Sequence, residues 1–258
     1  LKLEGYRTVY GLACKHVQDA RLRVVLTFQS LLVGGNPFAT TSVYCLIAFL
    51  ERRWGVHFAM GGTGSLVTGL VRLIEGQGGS VRCNQAVSEI TVERGRATGV
   101  RLASGQHLAA DVVVSNADSA TTYRKLVAPE HRKRWTDAKI ERAKYSMGLF
   151  VWYFGTQRQY KDVAHHTIWF GTRHRELLAE IFRNEKLPED FSLYVHRPTA
   201  TDPSFAPAGC DSFYVLCPVP NLRAGLDWAV PDFSTLSRRR KGLNVAIPYR
   251  TNTGDRNQ

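Results

Sequence analysis

The glycine-rich segment Gly61-Gly62-Thr63-Gly64 has the residue types and spacing that come nearest to a phosphate-binding loop. Backbone N–H groups at the start of a helix can bind a pyrophosphate, and glycines let the ligand approach the backbone. The dinucleotide motif GxGxxG needs a further glycine three residues after Gly64, and that position holds Val67. No lysine of a Walker loop follows. The segment is therefore interpreted as the start of a helix rather than as a phosphate site.

Two adjacent histidines, His165 and His166, could in principle bind a metal ion. Successive side chains of a strand point to opposite faces, so the two imidazoles are not expected to bind one ion together. Ordinary hydrogen-bonded histidines are the favoured interpretation, and no metal site is predicted. The five cysteines, Cys14, Cys45, Cys83, Cys210 and Cys217, are odd in number and lack CxxC spacing, which fits a reducing, cytoplasmic environment.

Residues 130–144 form a basic segment that is predicted to be helical, with Trp135 among lysines and arginines. A solvated helix face and a surface that binds anionic lipid explain this pattern equally well. The net charge of +12 and the pI near 9.7 also raise the hypothesis of a nucleic-acid-binding protein. Because the basic residues are dispersed and no RNA-binding motif is present, no nucleic-acid partner is expected.

Apolar residues at helical spacing follow the glycine-rich segment, and the glycines within 76–79 would end that helix. The apolar stripe consists of Leu66, Val67, Leu70, Val71 and Ile74. Strands are predicted after it, at residues 80–83, 87–93, 97–102 and 108–115. The continuous apolar run 112–114 is typical of a strand buried on both faces. Asn116 and Asp118 would then stand beyond the carboxyl end of a strand, where ligands of such sheets bind.

The middle of the chain is rich in aromatic residues that alternate along predicted strands. Residues 147–155 would place Trp152 and Phe154 on one face and Tyr153 on the other, and both faces are apolar. Residues 167–170, 191–196 and 212–218 repeat the pattern, so one four-stranded sheet is expected, with a helix at 175–184 across it. A core sheet buried on both sides is favoured for most of these residues; the alternative is a dry cavity for an apolar substrate along one face.

Length and composition fit a globular protein with a sizeable core in one or two domains, because 44% of the 258 residues are hydrophobic. The longest apolar run, at 43–50, is far shorter than the roughly 20 residues of a membrane-spanning helix.

Several segments, taken together, resemble a bacterial-type phytoene desaturase, a FAD-dependent enzyme of carotenoid biosynthesis. They are LLVGGNPFATTSVY at 31–44, RRWGVHFAMGGTGSLVTGLVRLIEGQGGSV at 52–81, ASGQHLAADVVVSNAD at 103–118, VAHHT at 163–167 and EDFSLYVHRP at 189–198. The similarity runs from about Leu1 to about Val230.

The resemblance implies a mixed α/β fold: the middle part of a Rossmann-like FAD domain of the amine-oxidase and desaturase type, plus a substrate domain with a mixed sheet. It implies FAD, phytoene as the long apolar substrate, and a cytoplasmic protein bound peripherally to a membrane surface. Val87 matches the position whose backbone meets the adenine in related flavoproteins, and Asn116 is a second candidate. Trp152 and Phe154 are candidates for the substrate channel, and no catalytic residue is predicted. An amine oxidase or a carotenoid isomerase of the same fold is the alternative.

The chain also departs from the family pattern, which begins with GxGxxG and closes with a second glycine-rich segment. It is therefore expected to be an internal fragment that lacks both ends and is inactive alone. We divide it into a helical, membrane-associated part at 1–60, a middle FAD-domain segment at 61–118, a substrate domain at 119–231 and a disordered tail at 232–258. That tail contains Arg238-Arg239-Arg240-Lys241 and is interpreted as out-of-frame sequence; the alternative is a natural basic tail.

Overall fold

A computed structural model describes residues 4–183, 187 and 190–226. The predicted disordered tail at 232–258 lies outside the described residues. The protein combines helices with two antiparallel sheets. No helix in the described part of the chain is long and apolar enough to cross a membrane.

Residues 4–60 form helices and turns, and the division of the chain into domains stays a prediction. It contains α1 (Val9–His16), α2 (Ala20–Val25), 3-10 turns at Phe28–Val33 and Ser42–Cys45, and α3 (Leu46–Trp54). Thr8 caps α1, because its hydroxyl oxygen accepts a hydrogen bond from the backbone N–H of Gly11 at 2.9 Å.

The helix predicted after the glycine-rich segment is confirmed as α4 (Gly62–Gly76). Gly61 and Gly62 have φ angles of 77° and 75°, which a side chain would strain. A Cβ on Gly62 would also lie 2.7 Å from the Phe205 ring. The Asp202 carboxylate accepts a hydrogen bond from the Gly61 N–H at 2.8 Å, so a side chain of this protein occupies the start of the helix.

A three-stranded antiparallel sheet follows, in the order β1 (Val87–Glu93), β2 (Arg96–Leu102) and β3 (His107–Ala109). Two strand predictions need correction. Residues 80–83 form no strand, and the strand predicted at 108–115 ends at Ala109. Val112 and Val114 are 75% and 88% exposed, so the predicted burial on both faces is wrong. An apolar run shows that a segment favours burial, but the described residues bring no strand or helix over this one.

The basic segment 130–144 is not the continuous helix that its composition predicts. It contains a 3-10 turn at Pro129–His131 and a short α6 (Asp137–Glu141), after α5 (Ser119–Thr121) and a π-type turn at Thr122–Leu126. The Thr136 hydroxyl oxygen accepts a hydrogen bond from the Lys139 N–H at 3.3 Å and caps α6, which stops the helix from extending backwards.

The predicted four-stranded sheet is confirmed, in the order β4-β7-β6-β5. Its members are β4 (Gly148–Thr156), β5 (His166–Trp169), β6 (Leu193–His196) and β7 (Asp211–Val219), with α7 (His174–Arg183) between β5 and β6. All three strand pairs are antiparallel, which corrects the predicted mixed sheet. Alternating apolar residues predict strands but carry no information on strand direction. The buried core beside this sheet consists of Leu177, Leu178 and Ile181 of α7, packed against Leu31, Phe38, Met147 and Phe182.

Candidate functional site

The two faces of the four-stranded sheet differ in exposure. Along β4, Phe150, Trp152 and Phe154 are half-buried, whereas the alternate residues Leu149, Val151 and Tyr153 are 51%, 37% and 72% exposed. Alternate residues of a strand point to opposite faces, so β4 presents one aromatic face to the protein and one apolar face outwards.

The predicted channel residues Trp152 and Phe154 lie on the half-buried face. Their rings are 4.7 Å apart between centroids, and Phe154 stacks on Phe213 of β7 at 5.2 Å. Cys217 also lies on this face, and burial raises the pKa of its thiol to about 12. The two residues are thus brought together in an aromatic cluster. Their role in a substrate channel stays a prediction.

The opposite face, called the open face below, is defined by cross-strand pairs, whose members share a face. Its side chains are Leu149, Val151 and Tyr153 of β4, Tyr214, Leu216 and Pro218 of β7, Tyr194 and His196 of β6, and His166 and Ile168 of β5. Tyr153 lies 5.6 Å from Tyr214, and His196 stacks on Tyr214 at 4.4 Å. None of these side chains carries a carboxylate, ammonium or guanidinium group. The open face is therefore an aromatic and aliphatic surface with polar groups at the His166 edge.

Three histidines meet at that edge, and the structure corrects the prediction that His165 and His166 point apart. His165 precedes β5 rather than lying within it, so strand alternation does not separate the rings, and their centroids are 4.4 Å apart. His196, which pairs with His166 across β5 and β6, lies 4.5 Å from the His165 ring. We call His165, His166 and His196 the histidine cluster. Sequence reasoning missed His196 as its third member.

Hydroxyl groups hold the cluster on one side. The Nδ1 atom of His165 lies 2.5 Å from the Thr201 hydroxyl oxygen. The Nδ1 atoms of His166 and His196 lie 2.6 Å and 3.2 Å from the Tyr194 hydroxyl oxygen. The prediction that His165 and His166 are hydrogen-bonded is therefore confirmed.

Burial sets the protonation of His165 and His196. Burial, reinforced by the nearby His165 and His166, lowers the pKa of His196 to about 4. Burial also lowers the pKa of His165, with smaller contributions from His166 and Arg197. Both imidazoles are therefore neutral at pH 7. Burial raises the pKa of Tyr194 above its ordinary value, with the Tyr214 hydrogen bond as a second cause, so its hydroxyl stays protonated.

A buried ion pair fixes the chain beside the cluster. The guanidinium of Arg197 donates to the Asp211 carboxylate at 3.1 Å, and Asp211 is 2% exposed. The carboxylate also accepts from the Thr199 hydroxyl and the Tyr160 N–H, each at 2.6 Å. Burial alone would raise the pKa of Asp211, but these hydrogen bonds outweigh it and lower the pKa. The pair ties the end of β6 to the start of β7.

The candidate cofactor residues lie in the other sheet region. Val87 begins β1, an edge strand of the three-stranded sheet, and its side chain is 37% exposed. Asn116 is exposed in the segment before α5. Asp118, the neighbouring candidate, instead caps α5 by accepting a hydrogen bond from the Thr121 N–H at 2.9 Å. Neither Val87 nor Asn116 belongs to the open face, and their cofactor roles stay predictions.

Comparison of the sequence with known proteins finds its relatives among flavoproteins. The family model of flavin containing amine oxidoreductases matches residues 2–209. The chain is 50% identical over 234 residues to a neurosporene-forming phytoene desaturase of Rhodobacter capsulatus, covering 88% of this chain and 45% of that protein. It is 51% identical over 232 residues to a lycopene-forming phytoene desaturase of Pseudescherichia vulneris, covering 89% of this chain and 47% of that protein. The chain spans about half the length of the curated relatives it matches.

A second family model, described as a transposase DDE domain, matches residues 217–257. The match begins inside β7 and continues through most of the basic tail. The out-of-frame origin of that tail stays a prediction, and a segment related to transposases is now an alternative to it.

Solved structures share the fold. A protein of Pyrococcus furiosus aligns with a TM-score of 0.61 at 16% identity, over 85% of this chain and 53% of that one. An oxidoreductase from Methanosarcina mazei aligns with a TM-score of 0.55 at 17% identity, over 91% of this chain and 54% of that one. The matched family model covers most of the sequence. The chain therefore belongs to the family of flavin containing amine oxidoreductases.

Proposed function

We propose that the complete protein is a FAD-dependent phytoene desaturase that introduces double bonds into a carotenoid precursor. The observation that carries this proposal is the identity of 46–51% to five phytoene desaturases, which extends over 86–89% of this chain. Those relatives include neurosporene-forming and lycopene-forming enzymes.

The open face supports an apolar substrate. A long hydrocarbon binds by burying its surface, at about 25 cal/mol per Å² of apolar area, and needs no charged partner. Leu149, Val151 and Tyr153 offer such area at an exposed face that carries no charged group. An amine substrate would gain from a carboxylate, which the open face lacks. We therefore take the open face as a wall of the substrate channel, and the cluster of Trp152 and Phe154 as the rival wall.

The described residues fit one end of FAD. As an edge strand, β1 has one side without a strand partner that could meet an adenine, and Val87 is exposed at its start. Asn116 is exposed in the segment before α5. The helix start at Gly61 does not fit the pyrophosphate, because the Asp202 carboxylate already accepts its N–H and would repel a second anion. Burial of Asp202 is offset by hydrogen bonds from Ser204 and Gly61, which lower its pKa and keep it charged. Bound FAD would supply the hydride acceptor, and this chain would position the hydrocarbon and exclude water.

We also propose that the protein binds peripherally to the cytoplasmic face of a membrane through the helical part before residue 61. Exposed apolar side chains are dense there: Leu22, Val25, Leu26, Leu32, Val33, Val43, Leu46, Phe49, Trp54, Val56 and Met60. Exposed Arg52 and Arg53 at the end of α3 would meet anionic lipid head groups. The competing surface around Trp135 is less suited, because that ring stacks on Tyr123 at 5.4 Å and lies under the Lys139 ammonium at 4.6 Å.

A chimera tests the function. Residues 1–226 are joined to the terminal segments of the Rhodobacter capsulatus relative, and phytoene is presented in liposomes. We expect bound FAD and conversion of phytoene to more unsaturated, coloured carotenes, measured by chromatography. A chimera that binds FAD and oxidises amines but leaves phytoene unchanged would refute the desaturase and favour the amine oxidase.

Two variants of the chimera distinguish the candidate walls. Val151→Asp places a charge on the open face and should lower turnover about tenfold or more while the FAD content stays the same, because an isolated carboxylate is costly to bury against hydrocarbon. Trp152→Ala changes the rival wall. If this variant lowers turnover at constant FAD content and Val151→Asp does not, the channel lies on the half-buried face.

A further inference from the structure

The geometry points to a binding site for a divalent transition metal ion of the zinc type at the histidine cluster, and we propose it as a further site of this protein. Imidazole nitrogen is a preferred ligand of Zn²⁺, Co²⁺, Ni²⁺ and Cu²⁺, and three imidazoles with an open fourth position are a known ligand set for zinc. Two of its ligands, His166 and His196, belong to the open face, but the proposal does not rest on the proposed desaturase activity.

The spacing of the ring nitrogens suits one shared ion. One ring nitrogen from each of His165, His166 and His196 lies within 4.8 Å of one from each of the others. Zn–N bonds of about 2.0–2.1 Å at tetrahedral angles place ligand nitrogens roughly 3.3 Å apart. The required closure is at most about 1.5 Å, which small rotations of the side chains supply.

The hydrogen bonds of the cluster prepare the metal-binding nitrogens. Metal-binding histidines commonly donate the N–H of the other ring nitrogen to an oxygen, which fixes the tautomer and aims the free nitrogen at the ion. Here all three Nδ1 atoms face hydroxyl oxygens, those of Thr201 and Tyr194. With the protons on Nδ1, each Nε2 keeps its lone pair for a ligand bond.

The Nε2 atom of His165 is an independent sign of a missing ligand. It is buried, and it has no hydrogen-bond partner among the described residues. A buried polar atom without a partner costs free energy, and a metal bond would remove that cost. The His165 ring also contacts Phe58, whose ring centroid lies 4.7 Å away in an edge-on arrangement.

The ligand atoms and the charges around the cluster determine which class of metal ion can bind. Arg197 is close enough to affect His165, but its guanidinium is paired with Asp211 at 3.1 Å, so its charge is largely compensated. The three ligands are imidazoles and contain no oxygen. Mg²⁺ and Ca²⁺ prefer oxygen ligands and should not bind here.

A bound ion would connect separate parts of the sheet. His166 lies on the edge strand β5, His196 lies on β6, and His165 precedes β5. Because His166 is exposed, the fourth position of the ion would face solvent at the margin of the open face. The ion would thus hold the sheet edge and leave one position for water or an anionic group.

The test is metal binding to the purified 258-residue chain after removal of any affinity tag and of bound metal with a chelator. Equilibrium dialysis with elemental analysis should give about one Zn²⁺ per chain at neutral pH, and Mg²⁺ should not compete. Co²⁺ should give weak visible bands without the intense thiolate-to-cobalt absorption that a cysteine site would show.

Single variants assign the site. His166→Asn changes an exposed ligand and should weaken Zn²⁺ binding about 100-fold, whereas the matched control His107→Asn, an exposed histidine on β3, should leave binding unchanged. Tyr194→Phe should weaken binding about 10-fold to 100-fold, because it removes the oxygen that orients two of the ligands. Circular dichroism confirms that each variant is folded.

Three results would overturn the proposal. One is a native chain that binds no more Zn²⁺ than the same chain in urea. The second is unchanged affinity in the folded His166→Asn variant. The third is a thiolate signature in the Co²⁺ spectrum, which would place the ion at cysteine instead.

Discussion

Two regions of the molecule differ in how far their apolar side chains are buried. The first region is the four-stranded sheet with α7, and the second is α4 with the three-stranded sheet. In the first region Leu177, Leu178 and Ile181 are at most 2% exposed. In the second, the apolar stripe of α4 is exposed, and Leu66, Leu70 and Ile74 are 54%, 52% and 43% exposed. The matched family model covers the second region and the first region up to residue 209, which leaves β7 outside it. The two regions differ in whether described residues pack against their apolar side chains.

The comparison shows that secondary structure and burial can be separated. The stripe of α4 has the spacing of a helix that packs on a core, and the helix forms with its glycine start intact. No described element covers the stripe, although a contiguous apolar surface of this kind marks a contact with another segment or protein. The four-stranded sheet, in contrast, finds its core partners within the described residues.

The largest effect on stability is expected from breaking the buried ion pair of the first region. Asp211→Ala leaves the Arg197 charge buried without its partner and should lower the free energy of unfolding by about 3–5 kcal/mol. Urea titration followed by tryptophan fluorescence measures this loss. The control is Glu89→Gln, which removes the exposed pair with Arg101 in the three-stranded sheet and should cost at most about 1 kcal/mol. Equal losses in the two variants would contradict the contrast between the regions.

A second pair of variants tests packing directly. Leu178→Ala creates a cavity in the core and should cost about 2–5 kcal/mol of unfolding free energy. Leu70→Ala, the same change on the exposed face of α4, should alter it by no more than about 0.5 kcal/mol. Both values come from chemical denaturation of the purified chain. A large loss for Leu70→Ala would show that the stripe of α4 is packed in solution.

The smallest effect concerns His174, the first residue of α7, which is 7% exposed and lies among Phe38, Phe170 and Arg175. Neither ring nitrogen has a hydrogen-bond partner among the described residues. Burial lowers the pKa of His174, and the nearby Glu176 opposes this only in part. The unfolded chain therefore binds more protons below about pH 6.5, and stability falls as the pH decreases from there through the folded pKa.

Replacing this side chain should remove its share of the pH dependence. His174→Leu should raise the free energy of unfolding by about 1 kcal/mol at pH 7 and by more at pH 5, because the unfolded chain then no longer gains a proton at position 174. His165 and His196, whose pKa values burial also lowers, contribute a slope of the same sign. His107→Leu in the three-stranded sheet is the control. A pH slope that is the same in both variants would exclude His174 as a source.

Much of the fold was predictable because local patterns carry it. The alternation along residues 147–155 predicted β4 and its two apolar faces, and three similar runs predicted β5, β6 and β7. The apolar stripe and the flanking glycines predicted α4. These features depend on spacing of 2.0 or 3.6 residues, which a sequence displays directly.

The rest depends on pairing and capping, which spacing does not reveal. The histidine cluster needs the register His166↔His196, and that register is visible only once β5 and β6 are paired. The exact start of β5 also matters. Because His165 lies one residue before the strand, its side chain does not follow the alternation of strand side chains. The start of α6 depends on the hydrogen bond to Thr136, which spacing does not reveal. Val112 and Val114 are exposed because no described strand or helix packs over them, and a local apolar run carries no information on such partners.

The glycine-rich start of α4 also has a mechanical consequence. Gly61 is tied to Asp202 by a hydrogen bond, and the backbone of Gly62 lies against the Phe205 ring without room for a side chain. Asp202 and Phe205 belong to the loop between β6 and β7, two strands of the open face. These two contacts couple the start of α4 to that loop, so a displacement of α4 would also displace the loop. A load applied to the exposed stripe of α4 would therefore be transmitted to the strands beneath the open face.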